Sequence, residues 1–340
     1  MRDLIAKIQR KEDLSTDEIQ TVMTRIMDGK ADEADMRDFL LAMTEKEPSV
    51  DEIVGAAEIM RRFVIPVQTR HDRIFDIVGT GGDYKHTFNI STCAAFVIAG
   101  AGVAVAKHGN NSVSSLCGSA DVLEALGVRL DIPLEKISAC LDEVGLAFLF
   151  AKRHHPGMRH VAPVRKALGI KTIFNILGPL TNPAGATHQL LGVYDRHLLE
   201  QMAEVLRRLG SRRAIVVHGA DGMDEISLAD KTFVSEFNGE KLRSYEIIPE
   251  EFGLRRAFDQ DIKGGDKTVN AGFLLEVLRG AKGPKRNIVL LNAGFALYAA
   301  DAVKSPEDGI ALAAAVINDG RALRILEKLK DFTSRDQQLS

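Results

Sequence analysis

The sequence predicts an α/β protein in which a small N-terminal all-helical domain precedes a large α/β domain with a mainly parallel central sheet. Two patterns predict it. Apolar residues keep helical spacing from residue 1 to about residue 63, and from residue 74 short apolar runs alternate with glycine-rich loops and apolar helices. We therefore expect an α-helical domain over residues 1–70, completed by helices from about 160–187, an α/β domain over residues 71–330 and a polar tail over residues 331–340.

Composition restricts the class of protein. The 340 residues carry a net charge of −3, with 45% hydrophobic and 27% charged residues, which gives no support for nucleic-acid binding. The three cysteines form no C-x-x-C pair, as expected in a reducing cytosol. The charged start at Arg2 does not fit a signal peptide, and no apolar run has the length of a membrane span. We expect a cytoplasmic protein with no nucleic-acid and no membrane partner.

The N-terminal domain is expected to hold four helices. Ser15 with Glu18 and Ser49 with Glu52 form two capping boxes ahead of apolar residues at helical spacing, and Gly29 is typical of a helix end. Four short helices enclose little core of their own. This domain should therefore pack on the rest of the chain or on a second subunit.

Two polar loops follow two neighbouring predicted strands, at residues 74–78 and 103–106. The first loop reads GTGGD over residues 79–83, and the second reads KHGNNSVSS over residues 107–115. Glycines let backbone N–H groups approach an anion, while hydroxyls, helix N-termini and Lys107 supply further donors. Because ligands of open α/β sheets bind at the carboxyl ends of parallel strands, the loops predict a phosphate site. Neither loop has the spacing of a dinucleotide fingerprint or a P-loop.

A pair of carboxylates, Asp224 and Glu225, follows the predicted strand at residues 214–218. This pair should face the phosphate loops, because it also lies at the carboxyl end of a buried strand. Mg²⁺ binds in proteins through one or two carboxylates together with substrate phosphates. The pair therefore favours a Mg²⁺ site.

Three histidines, His154, His155 and His160, lie close together in the sequence. A metal site is disfavoured, because adjacent histidines point apart and no Cys, Asp or Glu is near to complete a zinc site. A cationic segment that faces the substrate is the preferred interpretation.

The last part of the chain predicts a hairpin and then helices. Residues 232–237 and 241–247 are expected to pair around Asn238–Gly239 with a type I′ turn. A late strand is expected at residues 288–291, with helices following to Leu329.

Seven motifs, in order, resemble the anthranilate phosphoribosyltransferase family, whose members act in tryptophan biosynthesis and have a nucleoside phosphorylase-like fold. The likeness covers nearly the whole chain. The motifs are GTGGD (79–83), NIST (89–92), KHGN (107–110), GSADVLEALG (118–127), HHP (154–156) with Pro163 and Arg165, FNILGPLTNPA (174–184) and DGMDEIS (221–227).

The resemblance implies a Mg²⁺-dependent glycosyltransferase. Such an enzyme transfers the phosphoribosyl group of phosphoribosyl pyrophosphate to the amine of anthranilate, giving N-(5-phosphoribosyl)anthranilate and pyrophosphate in L-tryptophan biosynthesis. The resemblance also implies two Mg²⁺ ions and a homodimer that meets through the helical domain. It implies no conventional acid or base, and the rate would come from positioning the substrates and Mg²⁺.

The site residues carry over from the resemblance in three sets. The phosphoribosyl pyrophosphate contacts are Gly79, Gly82, Asp83, Thr87, Asn89, Ile90, Ser91, Thr92, Lys107, His108, Gly109, Asn110, Asn111, Ser112, Val113, Ser114, Ser115 and Ser119. The anthranilate contacts are Gly79, Asn110 and Arg165, with His108 and Pro179 lining the entry. The magnesium ligands are Ser91, Asp224 and Glu225.

The chain departs from the family pattern in both loops. Asn111, Leu116 and Cys117 stand where Arg, Lys and Ser are usual, and Tyr84 and His86 stand where small residues are common. Two positive charges are therefore missing beside the expected phosphate site, which should weaken phosphate binding.

Two other functions stay open at this point. A nucleoside phosphorylase would accept inorganic phosphate and would not need Asp224 and Glu225 for a metal. A non-catalytic relative that binds nucleic acid or a protein would fit the missing cations, but the acidic pair and the net charge disfavour it.

Overall fold

The structure is a computed structural model that describes residues 1–111 and 116–335. Its first four helices form the N-terminal bundle, and the strands begin after them. Over the described residues the α-helices are α1 (Arg2–Gln9), α2 (Thr16–Met27), α3 (Glu33–Lys46), α4 (Val50–Arg62), α5 (Ile90–Gly100), α6 (Ser119–Ala125), α7 (Leu134–Val144), α8 (Ala151–His154), α9 (Met158–Leu168), α10 (Phe174–Leu177), α11 (Leu198–Arg208), α12 (Asp259–Ile262), α13 (Lys267–Leu278), α14 (Pro284–Ala299), α15 (Pro306–Asn318) and α16 (Arg321–Ser334). Among these helices, none is both long enough and apolar enough to cross a membrane.

One seven-stranded sheet forms the centre of the α/β domain, in the order β3-β2-β1-β4-β5-β6-β7. The strands are β1 (Ile74–Gly79), β2 (Ala104–Gly109), β3 (Leu146–Phe150), β4 (His188–Gly192), β5 (Arg213–Gly219), β6 (Thr232–Phe237) and β7 (Leu242–Ile247). Neighbours from β3 to β5 are parallel, and β6 and β7 are antiparallel additions at one edge. The prediction of a mainly parallel sheet is confirmed.

Hydrophobic cores cover both faces of the sheet. Leu190 and Ile215 point into a core that contains α5 and α14, whereas the next residues along the same strands, Leu191 and Val216, point into a second core. This alternation follows from the pleat of a strand, and it explains why the central strands are apolar throughout.

The second core joins the N-terminal bundle to the sheet. It contains the buried faces of α1 to α4, the inward side of α11, and residues of α9 and α10 such as Val161 and Phe174. The packing of α9 and α10 with the bundle agrees with the expected completion by helices from about 160–187. The domain bounds themselves stay predictions.

Both capping boxes are confirmed. The Glu18 N–H donates to Ser15 Oγ at 3.3 Å, and the Ser15 N–H donates back to Glu18 Oε2 at 2.8 Å. Ser49 and Glu52 repeat this arrangement at the start of α4. Glu52 is fully buried and also accepts hydrogen bonds from the N–H of Leu14 and from Lys46 Nζ. This capping glutamate therefore holds three elements of the bundle together.

The predicted strand at residues 288–291 is wrong, because these residues lie inside α14. A short apolar run cannot be assigned to a buried strand or a buried helix by periodicity alone. α14 is buried on nearly all sides, so it lacks the polar face that would have revealed a helical period.

The hairpin is confirmed, but its type I′ turn is wrong. A type I′ turn needs positive φ at both central residues; Gly239 has φ +95°, but Asn238 is not in that region. Residues 238–241 connect β6 to β7, and the Asn238 side chain accepts hydrogen bonds from the N–H groups of Glu240 and Lys241. The asparagine therefore stabilises a longer loop through its side chain.

Candidate active site

The loops that follow β1, β4 and β5 meet at the carboxyl edge of the sheet. Asp224, from the loop after β5, accepts a hydrogen bond at Oδ2 from the Gly81 N–H at 2.7 Å. A Cβ on Gly79 would overlap the Asp224 carboxylate, and one on Gly192 would overlap the Asp224 backbone carbonyl. Glycine at these two paired strand ends therefore lets the acidic loop lie directly against the glycine-rich loop.

The start of α5 and a buried lysine complete this arrangement. The Ser91 N–H donates to Glu225 Oε1 at 3.2 Å, and Lys107 Nζ lies 3.4 Å from Ser91 Oγ. Lys107 also donates to the Ile77 carbonyl at 2.7 Å and is only 3% exposed. The structure thus brings together Ser91, Lys107 and the acidic pair.

The donor set fits Mg²⁺. The hydroxyl of Ser91 and the carboxylates of Asp224 and Glu225 are hard oxygen ligands. Over residues 1–111 and 116–335 no group of three His, Cys, Asp or Glu side chains is placed to hold a metal ion. A cation here would therefore depend on phosphate oxygens of a substrate as well as on protein ligands, which is the usual mode of Mg²⁺ binding.

The charged groups of the site are largely shielded from water. Burial raises the pKa of Glu225 to about 7, although Lys107 opposes the shift. Burial and the neighbouring charges of Asp83 and Glu225 raise the pKa of Asp224 well above its usual range. Burial also lowers the pKa of Lys107. The carboxylates therefore gain from any cation that binds between them.

Sequence reasoning assigned no role to Asp76 or Asn182. Asp76 is fully buried in β1 and accepts hydrogen bonds from the His108 N–H at 3.1 Å and from Asn182 Nδ2 at 2.8 Å. Asn182 also donates to the Ala106 carbonyl. Burial raises the pKa of Asp76 to about 6. These bonds fix β2 and its loop against the segment that contains Pro179.

A pair of neutral histidines lies behind the second loop. His108 Nδ1 is 3.1 Å from the Gly178 carbonyl, and His108 Nε2 is 3.2 Å from His155 Nε2. Burial lowers the pKa of His108 to about 3 and that of His155 to about 4. His108 therefore donates through Nδ1–H to Gly178 and accepts from His155 at Nε2.

The expectation of a cationic segment around residue 155 is wrong for two of its histidines. His154 Nδ1 contacts the Ile65 carbonyl at 2.9 Å, and burial lowers the pKa of His154 as it does that of His155. Both rings are buried, which disfavours the charged form. Arg153 donates to the carbonyls of Leu130 and Ile132 and so has a structural role.

Arg165 has no carboxylate partner within the described ranges. It lies on α9, where Nη2 donates to Asn175 Oδ1 at 3.3 Å and the guanidinium lies 5.7 Å from the Phe174 ring centroid. Burial lowers the pKa of Arg165. The Arg165 fork is therefore suited to a ligand carboxylate.

Pro179, the other residue expected at the anthranilate entry, accepts a hydrogen bond at its carbonyl from Gln189 Nε2.

The start of the second loop is fixed to α6 and α8. Ser119 Oγ donates to the Asn110 carbonyl at 3.2 Å, and a Cβ on Gly109 would overlap Ser119 Oγ. Asn111 donates to Asp121 Oδ1 at 2.7 Å and accepts from Lys152 Nζ at 2.9 Å. The predicted contacts Ser112, Val113, Ser114 and Ser115 lie outside the described residues.

Lys152 was missed by sequence reasoning. It places an ammonium beside Asn111, where the family pattern has Arg. Its position directly after the carboxyl end of β3 was the available signal, because that edge of the sheet was already expected to hold the site.

The other predicted contact residues lie between β1 and the first turn of α5. Asn89 does not cap α5 with its side chain; it donates to the Cys117 carbonyl and accepts from Asn270 Nδ2. Asn270 is therefore a further residue that sequence reasoning missed. The remaining predicted contacts lie in the same loop or the first turn of α5, namely Gly82, Asp83, Thr87, Ile90 and Thr92, of which the last two are buried.

The bundle and the α/β domain both match one family of known proteins. Residues 2–64 match the helical bundle domain of a glycosyl transferase family, and residues 71–323 match its a/b domain. The fold and site thus define a glycosyl transferase. The chain is 50% identical to the anthranilate phosphoribosyltransferase of Symbiobacterium thermophilum over 98% of both chains. It is also 50% identical to that of Syntrophobacter fumaroxidans over 99% and 100% of the two chains.

Solved structures agree with these matches. A crystal structure of anthranilate phosphoribosyltransferase from Thermus thermophilus superposes with a TM-score of 0.92 at 44% identity, covering 97% and 98% of the two chains. The Saccharomyces cerevisiae enzyme in complex with PRPP and Mg has a TM-score of 0.90 at 29% identity, covering 98% and 99%. The chain belongs to the anthranilate phosphoribosyltransferase family.

Proposed function

We propose that this carboxyl edge of the sheet is the active site of an anthranilate phosphoribosyltransferase. The chain transfers the phosphoribosyl group of phosphoribosyl pyrophosphate to the amine of anthranilate and releases pyrophosphate, a step of L-tryptophan biosynthesis. One observation carries the proposal: the acidic pair, Ser91 and Lys107 meet at the glycine-rich loop, as a magnesium pyrophosphate requires.

Phosphoribosyl pyrophosphate should bind along both loops. We expect the Gly82 amide and the N-terminus of α5 to donate to the anion, and Lys107 to add a positive charge. The yeast relative was solved with PRPP and Mg, and we assign Ser91, Asp224 and Glu225 as the Mg²⁺ ligands here. The bound Mg²⁺, which we place as two ions, would neutralise negative charge on the pyrophosphate as it departs.

Anthranilate should bind on the side of α9. Another structure of the yeast relative contains 4-fluoroanthranilate, which carries the same carboxylate. Arg165 lacks a carboxylate partner among the described residues and should bind this group, with His108, Asn110 and Pro179 beside the ring. The amine of anthranilate is uncharged and already nucleophilic, so orientation can replace a general base.

We also propose a cytoplasmic homodimer that meets through the helical domain. The three cysteines are buried and form no disulfide within the described residues, which is compatible with a reducing compartment. Light scattering should give twice the 37.1 kDa chain mass, and crosslinks between subunits should lie within residues 1–70. A monomer in solution would contradict the dimer without affecting the proposed reaction.

The test of the reaction is the loss of anthranilate fluorescence in the presence of phosphoribosyl pyrophosphate and Mg²⁺. We expect turnover that needs all three components. Inosine or thymidine with inorganic phosphate serves as the comparison, because a nucleoside phosphorylase would cleave these without a metal. Cleavage of a nucleoside with no loss of anthranilate would contradict the assignment.

A further inference from the structure

One ammonium group lies over the glycine-rich loop without an ion-pair partner. Lys171 follows α9, and its Nζ is 3.5 Å from the ring centroid of Tyr194 and 5.5 Å from that of Tyr84. Within residues 1–111 and 116–335 its ammonium contacts these two rings and no carboxylate oxygen at ion-pair distance. The lysine thus contacts two aromatic faces, which attract a cation but do not neutralise it.

The position of this ammonium relative to the first loop is well defined. A Cβ added to Gly82, which has φ +78°, would lie 3.1 Å from Lys171 Cε and 3.5 Å from Nζ. Burial lowers the pKa of Lys171, while the carboxylates of Asp195, Asp83 and Asp224 raise it. Lys171 therefore faces the same loop and the same acidic residues that define the proposed site.

The surroundings hold Lys171 in place from both domains. Its carbonyl accepts a hydrogen bond from Thr44 Oγ1 of α3 at 3.3 Å. The Tyr194 N–H donates to Thr80 Oγ1 in the glycine-rich loop at 3.0 Å. Tyr84 belongs to that loop, has φ +58° and is 65% exposed. The lysine backbone is thus attached to the bundle, and both aromatic partners are attached to the loop.

We propose that Lys171 binds a phosphoryl oxygen of phosphoribosyl pyrophosphate at the glycine-rich loop, and that Tyr84 and Tyr194 position its ammonium. This inference rests on the proposed function. An ammonium between aromatic rings has already lost part of its hydration, so it gives up less water when it pairs with an anion. It also provides a positive charge at a site whose second loop carries Asn111 and Leu116 in place of cations.

The decisive variant is Lys171→Met, which keeps an unbranched side chain, shorter by the terminal atom, and removes its charge. We expect the KM for phosphoribosyl pyrophosphate to rise about ten- to a hundredfold, because a charge-assisted hydrogen bond is lost. The KM for anthranilate should stay within about twofold, and Lys171→Arg should recover most of the loss. Lys166→Met is the matched control, since Lys166 is an exposed lysine in the last turn of α9, the helix that precedes Lys171.

Two further measurements separate binding from positioning. Calorimetric titration with inorganic pyrophosphate and Mg²⁺ should show weaker binding to Lys171→Met, and the difference should shrink with added salt. Tyr194→Leu should weaken binding when Lys171 is present and have little further effect in the Lys171→Met background. This second variant keeps the test available if Lys171→Met fails to fold.

The outcomes distinguish this inference from the proposed function. Wild-type protein that consumes anthranilate, beside a folded Lys171→Met variant with unchanged KM and pyrophosphate affinity, would overturn the role of Lys171 alone. Wild-type protein that does not consume anthranilate would overturn the proposed function. The pyrophosphate titration would then test separately whether Lys171 binds a phosphoryl oxygen. Additive effects of Tyr194→Leu and Lys171→Met would overturn the positioning role of the ring.

Discussion

Two adjacent carboxylates determine whether the site can hold a metal. Asp224 contacts the glycine-rich loop and Glu225 contacts the start of α5, so the two side chains connect the proposed phosphate contacts to one loop after β5. Each keeps some exposure to solvent, as a metal ligand in an open cleft must.

Asp224→Asn together with Glu225→Gln should lower turnover by about tenfold or more and raise the Mg²⁺ concentration needed for half-maximal rate. The amides keep the shape but remove the charge that binds the cation. Initial rates over a Mg²⁺ series would measure this, with Asp230→Asn in the same loop region as the control. Near-normal rates at low Mg²⁺ would contradict the assignment.

The raised pKa of Glu225 gives the site a pH dependence. The carboxyl ordinarily has a pKa of 4.5 and reaches about 7 in the folded protein. Between these values the folded state binds more protons than the unfolded state, so the contribution of Glu225 to stability falls as pH rises. Without Mg²⁺, the contribution of Glu225 should therefore make the free energy of unfolding larger near pH 5.5 than near pH 8.

Mg²⁺ should reverse this trend, because it binds the deprotonated carboxylate. Its affinity should rise by up to about tenfold per pH unit until pH 7 and then level off. Thermal shifts recorded with and without Mg²⁺ from pH 5.5 to 8 would measure it. The Glu225→Gln variant should lose the part of the dependence that Glu225 contributes and keep the part that comes from Asp224, whose pKa is also raised. A Mg²⁺ shift that is flat with pH in the wild type would contradict the argument.

Arg165 provides the third residue-scale prediction. Arg165→Ala should raise the KM for anthranilate at least tenfold more than the KM for phosphoribosyl pyrophosphate, because the fork that should bind the carboxylate is lost. Steady-state kinetics with each substrate varied in turn would show the split. Arg165→Lys should recover only part of the loss. Equal effects on both constants would make Arg165 a structural residue that supports Asn175.

At the scale of elements, the glycines at two strand ends make room for the acidic loop. Gly79 and Gly192 are paired across β1 and β4, and both face Asp224. At Gly192 the neighbour of an added Cβ is the Asp224 backbone, which cannot move as the end of a flexible side chain can.

Gly192→Ala should therefore push Asp224 from the glycine-rich loop and sharply lower activity, with a loss of stability. Gly272→Ala is the matched control, because Gly272 lies inside α13 and an added Cβ meets nothing within 4 Å. That control should be neutral or stabilise the protein by up to about 1 kcal/mol, since alanine favours a helix. Activity assays and thermal melts on both variants would test whether the close packing at Gly192 is needed. Equal behaviour of the two would contradict the packing argument.

Local signals predicted these elements well, and non-local packing explains the misses. Neighbouring residues alone determine the capping boxes at Ser15 and Ser49 and the alternation of strands and loops. The prediction of a strand at residues 288–291 is wrong because α14, which contains them, is buried nearly all round. In the site, the glycine-rich loop and the acidic pair could be found from their residue types. The contacts of Lys171 and His155 could not be predicted, since their partners are distant in the chain.

At the scale of the whole molecule, the site depends on how the bundle lies against the sheet. One core contains side chains of α1 to α4 together with Leu191 and Val216 of the central strands. Arg165 and Lys171 both lie in the stretch that packs between the bundle and the α/β domain. The position of the bundle should therefore set the position of both proposed substrate contacts.

Arg61 at the end of α4 provides a specific test of this dependence. Its Nε donates to the Leu180 carbonyl at 2.7 Å and its Nη1 to the Leu209 carbonyl at 3.0 Å, and burial lowers its pKa. Arg61→Met leaves both carbonyls without their charged donor. Each such bond contributes about 1.5–3 kcal/mol, so the variant should unfold at lower temperature and denaturant concentration.

The neighbouring Arg62→Met is the matched control, since Arg62 is exposed and should tolerate the change. If the bundle positions the site, Arg61→Met should also raise the KM for anthranilate at temperatures where the variant stays folded, because Leu180 directly follows Pro179 in the segment that lines the proposed entry. Thermal melts and steady-state kinetics on both variants separate the two effects. A variant with reduced stability but unchanged KM would show that Arg61 supports the fold without positioning the substrate.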